Sequence, residues 1–334
     1  MYKKNKVKNS ISIVFTARND NYGGDLLDRI NALIKVLVFL TNKYKSKFEL
    51  IIVEYNPPAD KKKLFEVLQI CKNSNLKIRF IEFDSKYHSN FKNSERIKLF
   101  EYTAKNIGIK RATGDFIVST NQDIIFSDEF IKYLTYEKLD KNTFYRTDRY
   151  DVHLKAGTFE QNAESILSYC KHNSYLMKTK SGDKFIRFFD IQVLISILKN
   201  TVYLAITTIK SIFFGANRNT IDIKNNLHTF AAGDFLMMHK DAWSKLCGYS
   251  ESKEGNDYLD SLILFSAYSL QMRQGIISYP MYHVDHYMSK LGRPSMTQDN
   301  YTRLINSVLS TKRMSKDNLP TWGHGNLKLK ETSI

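Results

Sequence analysis

Glu101-Tyr-Thr-Ala-Lys105-Asn106-Ile-Gly108-Ile-Lys-Arg111-Ala-Thr-Gly114-Asp115-Phe-Ile-Val-Ser-Thr120-Asn121-Gln122-Asp123 decides how this chain is read. Ile97, Phe100, Ala104 and Ile107 are spaced to share one side of a helix over residues 95–111. Gly114 follows, as glycine often does just past a helix end. Residues 115–120 then form a short run with β-branched members, read as a strand. Asn121-Gln122-Asp123 stands where that strand stops. In an open α/β sheet, ligands bind in the crevice beyond the carboxyl ends of the strands. A carboxylate there can hold a divalent cation against a diphosphate, because such ions take oxygen ligands and leave positions for phosphate oxygens. Asn and Asp also favour plain turns, so the triplet alone supports both readings.

The same alternation runs through the first half of the chain. Residues 11–17, 50–54 and 77–83 read as strands; residues 25–44, 61–71 and 128–134 read as helices. Asn56-Pro57-Pro58 forces a turn after the second strand, since proline can continue neither a ladder nor a helix. Strand–helix repetition of this kind implies an α/β fold: a mostly parallel sheet with helices on both faces. Its crevice side collects residues 16–20, 54–56, 83–88 and 121–123. The second half is less regular. Residues 144–152 are polar and arginine-bearing, 160–170 and 257–273 read as helices, and 276–282 as a strand leading into His283-Val284-Asp285-His286. Residues after Ser315 read as a loose tail.

The whole chain bounds these readings. It has 334 residues and a net charge of +16, from 50 Lys and Arg against 34 Asp and Glu. That charge suits an acidic partner such as nucleic acid, anionic lipid or a phosphorylated substrate. The lysines are dispersed, however, with no basic stripe of interleaved aromatics, so nucleic acid is not the expected partner. Cys71, Cys170 and Cys247 form no C-x-x-C pair and fit a reducing compartment. No signal-peptide-like run follows the N-terminal lysines. Residues 185–214 are the most apolar long stretch, interrupted by Lys199, Asn200 and Lys210. They read as an interfacial helix on an anionic membrane or as a helix packed against the rest of the protein.

Three further constellations can carry chemistry. His283-Val284-Asp285-His286 places two imidazoles and a carboxylate within four residues, a source of metal ligands or a phosphate contact. Asp257 and Asp260 open a helix; a cap explains one acid, and a general base that deprotonates an acceptor hydroxyl explains the other. Gly233-Asp234, with Trp243 downstream, reads as a close ligand approach with a sugar-stacking aromatic, or as a strand bend with a packed tryptophan. There is no Walker loop, no G-x-G-x-x-G turn, no G-x-S-x-G elbow and no H-E-x-x-H helix.

Taken in order, these pieces resemble the glycosyltransferase family 2-like group of GT-A enzymes, over roughly residues 10–290. The run from Glu101 to Asp123 is similar to the family's helix, small closing element, strand and Asp-x-Asp-type motif. Phe15-Thr16-Ala17-Arg18-Asn19-Asp20 resembles its first strand and nucleotide loop, and Ile51-Ile52-Val53-Glu54 its second strand. Two departures stand out. Asn121 replaces the first acid of the metal motif, and Asp257 and Asp260 are three apart rather than adjacent.

The resemblance implies a GT-A domain of two halves. Residues 10–150 would bind the nucleotide sugar and 228–290 the acceptor, with a helical, partly apolar insertion at 151–227 and a C-terminal helix and tail at 291–334. It implies transfer of a sugar from a nucleoside diphosphate, such as UDP, to a hydroxyl of a glycan or lipid-linked acceptor, with inversion, in surface polysaccharide or lipopolysaccharide synthesis. Mn2+ or Mg2+ would sit on Asp123, His283 and His286. Thr16, Arg18, Asn19, Glu54, Asn56, Lys105, Asn106, Arg111, Asn121 and Gln122 would bind the donor. Gly233, Asp234 and Trp243 would face the acceptor, and Asp260, with Asp257 in reserve, would be the base. The expected place is the cytoplasm, including the inner face of its membrane. The alternatives are a sugar nucleotidyltransferase, disfavoured by a loop at residues 18–24 without lysine, and a basic nucleic-acid-binding protein.

Overall fold

Apolar runs that cannot tolerate water on either side become the central strands. In a computed structural model describing residues 8–70, 73, 75–155, 157–187, 227–251, 258–286, 297–311 and 321–334, β1 (Ile11–Ala17) and β2 (Phe48–Tyr55) are buried along their whole length. Next come β3 (Leu76–Phe83), β4 (Phe116–Thr120), β5 (Ile124–Phe126) and β6 (Thr143–Val152). The hairpin β7 (Ser174–Thr179) and β8 (Gly182–Phe185) precedes β9 (Phe235–His239), β10 (Arg273–Val284) and β11 (Lys330–Ser333).

The sheet order is β11-β3-β2-β1-β4-β9-β6-β10-β5, with β7 attached to β6 and β8 to β7. β1 pairs in parallel with β2 and β4, β2 with β3, and β6 with β10. β9 runs antiparallel to both β4 and β6, which returns β6 to the direction of β4. β5 pairs antiparallel with β10, β11 with β3, and the hairpin β7–β8 antiparallel with β6 through β7. The fold is therefore mixed α/β with a mostly parallel sheet. The carboxyl ends of β1–β4, β6 and β10 open on one side.

Side chains alternate across each strand, so one strand feeds two cores. Ile13, Phe15, Leu50 and Ile52 pack under the helices Leu26–Tyr44, Asp128–Tyr136 and Ala163–Asn173. Val14, Ile51 and Val53 pack under the helices Glu101–Arg111 and Leu259–Ser269. Gly108 lets the first of these lie close to the sheet: a Cβ there would overlap Val14 and come within 3.0 Å of Val53.

Three elements differ from the sequence reading. The helix expected over residues 61–71 is one turn, Leu64–Val67. The helix expected from residue 95 begins at Glu101; the stretch before it is spent on turns, in which the amides of Arg96 and Ile97 donate to the Asn93 carbonyl. The expected tail contains β11, which pairs with β3 and places Glu331 2.8 Å from Arg79. Four mostly polar, exposed residues at a sheet edge carry no apolar alternation that would announce a strand. Among the described residues no helix is long and apolar enough to cross a membrane. The apolar stretch 185–214 lies, from residue 188 on, outside the described residues.

Candidate metal centre and crevice

Two strand ends build the centre. β4 stops at Thr120 and delivers Asp123; β10 stops at Val284 and delivers His283 and His286. The backbone ties them, as Val284 N donates to the Asp123 carbonyl at 2.8 Å. The Nε2 atom of His286 donates to Asp123 Oδ2 at 2.9 Å, and His283 Nε2 lies 4.0 Å from the same oxygen. One ligand atom from each of Asp123, His283 and His286 lies within 4.8 Å of the others, close enough for one cation to reach all three. Asp123 Oδ1 is buried and lacks a hydrogen-bond partner. An orphaned carboxylate oxygen beside two imidazoles fits a divalent ion. Carboxylate with imidazole suits Mn2+ better than Mg2+, which prefers oxygen ligands throughout.

A second layer orients the imidazoles. His283 Nδ1 lies 3.1 Å from Asp151 Oδ1 and 3.4 Å from Asp285 Oδ1. That bond turns His283 Nε2 toward Asp123, the usual way a carboxylate fixes a ligating histidine. Asp151 is in turn held by Arg149, whose Nε is 2.7 Å from its Oδ1. Arg149 Nη1 reaches Asp234 Oδ2 at 2.7 Å, and Asp234 Oδ1 accepts from Asn121 Nδ2 at 2.8 Å. Burial works against the Asp123 charge, yet the His286 bond and the charges of His283 and Arg29 bring its pKa down to about 2. Burial and Arg149 work against a charged His283, but Asp151, Asp285 and Asp123 raise it to about 10.

From Asn121 the network runs toward Gly233 and Asp260. Lys105 Nζ is fully buried and spends its three donors on Glu101 at 2.7 Å, Asn121 Oδ1 at 2.6 Å and the Gly233 carbonyl at 2.8 Å. It is an internal tie instead of the phosphate contact expected of it. Gly233 N donates to Asp260 Oδ2 at 2.9 Å, and a Cβ on Gly233 would meet the Tyr102 hydroxyl at 2.8 Å. Burial raises the Asp260 pKa above the usual carboxylate value. Asp257 lies outside the described residues.

Three expected ligand contacts sit elsewhere. Asn106 donates to the Tyr249 carbonyl and to Glu251, at 2.8 and 2.9 Å, and holds the turn at Gly248. Arg111, at the far end of the same helix, donates to the carbonyls of Gly323, His324 and Leu327. Trp243 is fully buried and its indole donates to the Ile117 carbonyl at 3.0 Å, which removes its face from any sugar.

The ends of β1 and β2 form the remaining wall. Thr16 Oγ1 donates to the Val53 carbonyl, and Asn19 to the Lys62 carbonyl. Arg18 bridges the Asn56 carbonyl at 2.7 Å and Asp20 at 2.6 Å. Asn56 donates to the Lys98 carbonyl from a backbone of φ 47°. Both oxygens of Glu54 lie 3.1 Å from the Leu64 amide, and burial pushes its pKa up to about 7. Gln122, half-buried, stands beside Asp123. Arg29, Arg149 and Asp151 were not singled out from sequence. Arg149 and Asp151 are two apart in a strand, so they share a face; charges on a strand flanked by buried residues were the available signal.

No protein-family model and no curated protein matches the chain. Solved structures do show likeness. The catalytic domain of Drosophila β1,4-galactosyltransferase 7, in complex with xylobiose, is 9% identical with a TM-score of 0.38, covering 89% of this chain and 79% of that one. A mannosyltransferase from Pyrobaculum calidifontis, in complex with GDP-Man and Mn2+, is 11% identical with a TM-score of 0.37, covering 91% and 70%. The inositol-1-phosphate CTP transferase of T. maritima is 9% identical with a TM-score of 0.36, covering 90% and 96%. At this level of likeness no residue of this chain is matched to a residue of those proteins.

Proposed function

We propose that this chain is a metal-dependent glycosyltransferase of the GT-A kind, using a nucleoside diphosphate sugar. One observation carries the reading: Asp123, His283 and His286 converge at the carboxyl-end crevice of a mostly parallel sheet, with Asp123 Oδ1 buried and unpaired. A divalent ion held there supplies positive charge for the oxygens of a departing diphosphate. The walls left by Thr16, Arg18, Asn19, Glu54 and Asn56 would take the nucleoside, as the resemblance implies.

The acceptor hydroxyl attacks the anomeric carbon, a C–O bond forms, and the bond to the diphosphate breaks with its electron pair leaving on the phosphate oxygen. Asp260 takes the hydroxyl proton. The amides of Gly233 and Ser261, at 2.9 and 2.8 Å, hold its carboxylate in place while burial raises its basicity. Direct displacement of this kind inverts the anomeric centre. A glycan or lipid-linked hydroxyl in surface polysaccharide or lipopolysaccharide synthesis is the acceptor class, and the basic balance of the chain suits work at an anionic membrane face.

The test is a panel of nucleoside diphosphate sugars, with and without Mn2+, scored for sugar release and for a melting shift. A metal-dependent shift with one nucleotide, lost in Asp123→Ala, supports the proposal. Full metal-dependent activity in Asp123→Ala would remove it.

A further inference from the structure

Arg29, beside the crevice, leaves two of its donor atoms without a partner. It lies in the first turn of the helix Leu26–Tyr44 and is 1% exposed. Its Nη2 donates to the Tyr22 carbonyl, while Nε and Nη1 have no hydrogen-bond partner. A buried guanidinium is normally paired with a carboxylate or surrounded by carbonyl oxygens, because each unmet donor loses its bond to water. Arg146 illustrates the usual solution: fully buried, it spends its donors on the carbonyls of His228, Phe230 and Ala232.

Two features place Arg29 at the metal centre. Burial depresses its pKa, and Asp123 is the foremost of the acidic groups that oppose this; Arg29 in turn helps to lower Asp123. The segment it holds by that hydrogen bond also touches the centre. Tyr22, whose carbonyl Arg29 holds, sets its ring edge-on to His286 with centroids 5.2 Å apart. Gly23 and Gly24 follow with φ of 76° and 74°, a backbone region open to glycine and unfavourable to most other residues. The same helix start presents its amide-rich end on this side of the sheet, which favours anions.

We propose that Arg29 is a phosphate-binding residue, and that residues 20–24 shift so its two open donors take oxygens of the diphosphate held against Asp123, His283 and His286. The N–H groups on Nε and Nη1 lie on different edges of the guanidinium plane, so each takes its own phosphate oxygen as a charge-assisted donor. The inference rests on the functional reading above and adds to it a residue from a different element, one with no counterpart in the motifs of the sequence. The proposed ligand chemistry is a diphosphate ester, and the metal alone does not satisfy it.

Calorimetry with UDP, GDP, CDP and ADP in Mn2+ identifies the nucleoside diphosphate that the protein binds. Arg29→Gln is then titrated with that diphosphate, with the corresponding nucleoside, and with Mn2+ alone by electron paramagnetic resonance. Loss of two charge-assisted hydrogen bonds predicts about a 10–100-fold weaker diphosphate affinity. Nucleoside affinity stays within about twofold, and Mn2+ affinity does not fall, since a neighbouring positive charge has been removed. Arg29→Lys, which keeps the charge without the two separate planar donors, should fall between the two. Unchanged diphosphate affinity in both variants overturns the proposal, as does an equal loss for the nucleoside, which marks a structural role. A wild-type protein that binds Mn2+ but none of the four diphosphates removes the functional reading itself.

Discussion

The Nε2 atom of His286 lies 2.9 Å from Oδ2 of Asp123, across 163 positions of sequence. Nothing local brings them together. The distance closes because β4 and β10 end on the same side of one sheet, and because the Asp123 carbonyl accepts from Val284 N. Fold and site are therefore a single consequence of strand order.

Metal binding is the first thing this pairing predicts. Asp123→Asn keeps the side-chain shape and one acceptor but loses the charge, and His286→Ala loses one ligand. Each should weaken Mn2+ affinity by about 10–100-fold or more, since even orienting partners of metal ligands have effects of that order. Asp151→Asn, which changes none of the three proposed ligands, should fall in the same range because it replaces the charged acceptor of His283 Nδ1 with a neutral one. The readout is Mn2+ binding by electron paramagnetic resonance. Asp151→Asn binding as tightly as wild type would show that orientation of His283 is unimportant.

How much of this was legible beforehand follows from the physics of each signal. β1 was readable to the residue, because a strand buried on both faces is a continuous apolar run between polar loops. Asp123 was readable because a carboxylate after such a run falls in the crevice of any parallel sheet. Arg149 and Asp151 were not, because their pairing with Asp234 and His283 depends on β6 lying next to β10, a non-local adjacency. Lys105 and Arg111 illustrate the opposite limit. Basic residues beside a candidate phosphate site invite a ligand role, yet both satisfy internal acceptors, which only the packed structure reveals.

Lys105 should accordingly matter to stability more than to substrate affinity. Lys105→Met leaves Asn121 Oδ1 and the Gly233 carbonyl without their donor and breaks the ion pair with Glu101. Removing one partner from a buried charged network typically costs about 3–5 kcal/mol. Urea unfolding should detect that loss. A variant as stable as wild type with only a raised KM for the donor would restore the phosphate-contact reading.

Gly248 should resist any side chain. Its φ is 72°, and a Cβ would run into the Asn106 carboxamide and come within 2.8 Å of the Trp322 ring. Gly248→Ala thus combines backbone strain with a break in the Asn106–Tyr249 hydrogen bonds. Strain at such a site alone costs about 1–3 kcal/mol. A melting temperature unchanged by the substitution would contradict this account of the Gly248-Tyr249 pair.

Asp260 should shape the acid limb of the activity profile. A base must be deprotonated to act, so activity falls as pH drops through its pKa. Burial raises that pKa, and the limb should therefore lie above the usual carboxylate range. Asp260→Asn should lower kcat by about 10²–10⁴-fold with little change in donor affinity. An unchanged kcat would move the base elsewhere, with Asp257 next to be substituted.

Glu54 makes a separate pH prediction, on stability. Its pKa rises from 4.5 to about 7 in the folded chain because burial disfavours the charged form. Between these values the folded state holds a proton that the unfolded state has released, so stability falls as pH rises through the window and levels off above pH 7. At about 1.4 kcal/mol per pKa unit, the group costs about 3 kcal/mol above the window. Glu54→Gln cannot ionise, yet it keeps an acceptor for the Leu64 amide. The stability difference between variant and wild type, measured by urea unfolding, should therefore shift in favour of the variant by that amount from pH 4.5 to pH 8. A difference that stays constant with pH would mean that Glu54 ionises in the folded protein as freely as in the unfolded one, and that the wall of the crevice at β2 is wetter than its packing implies.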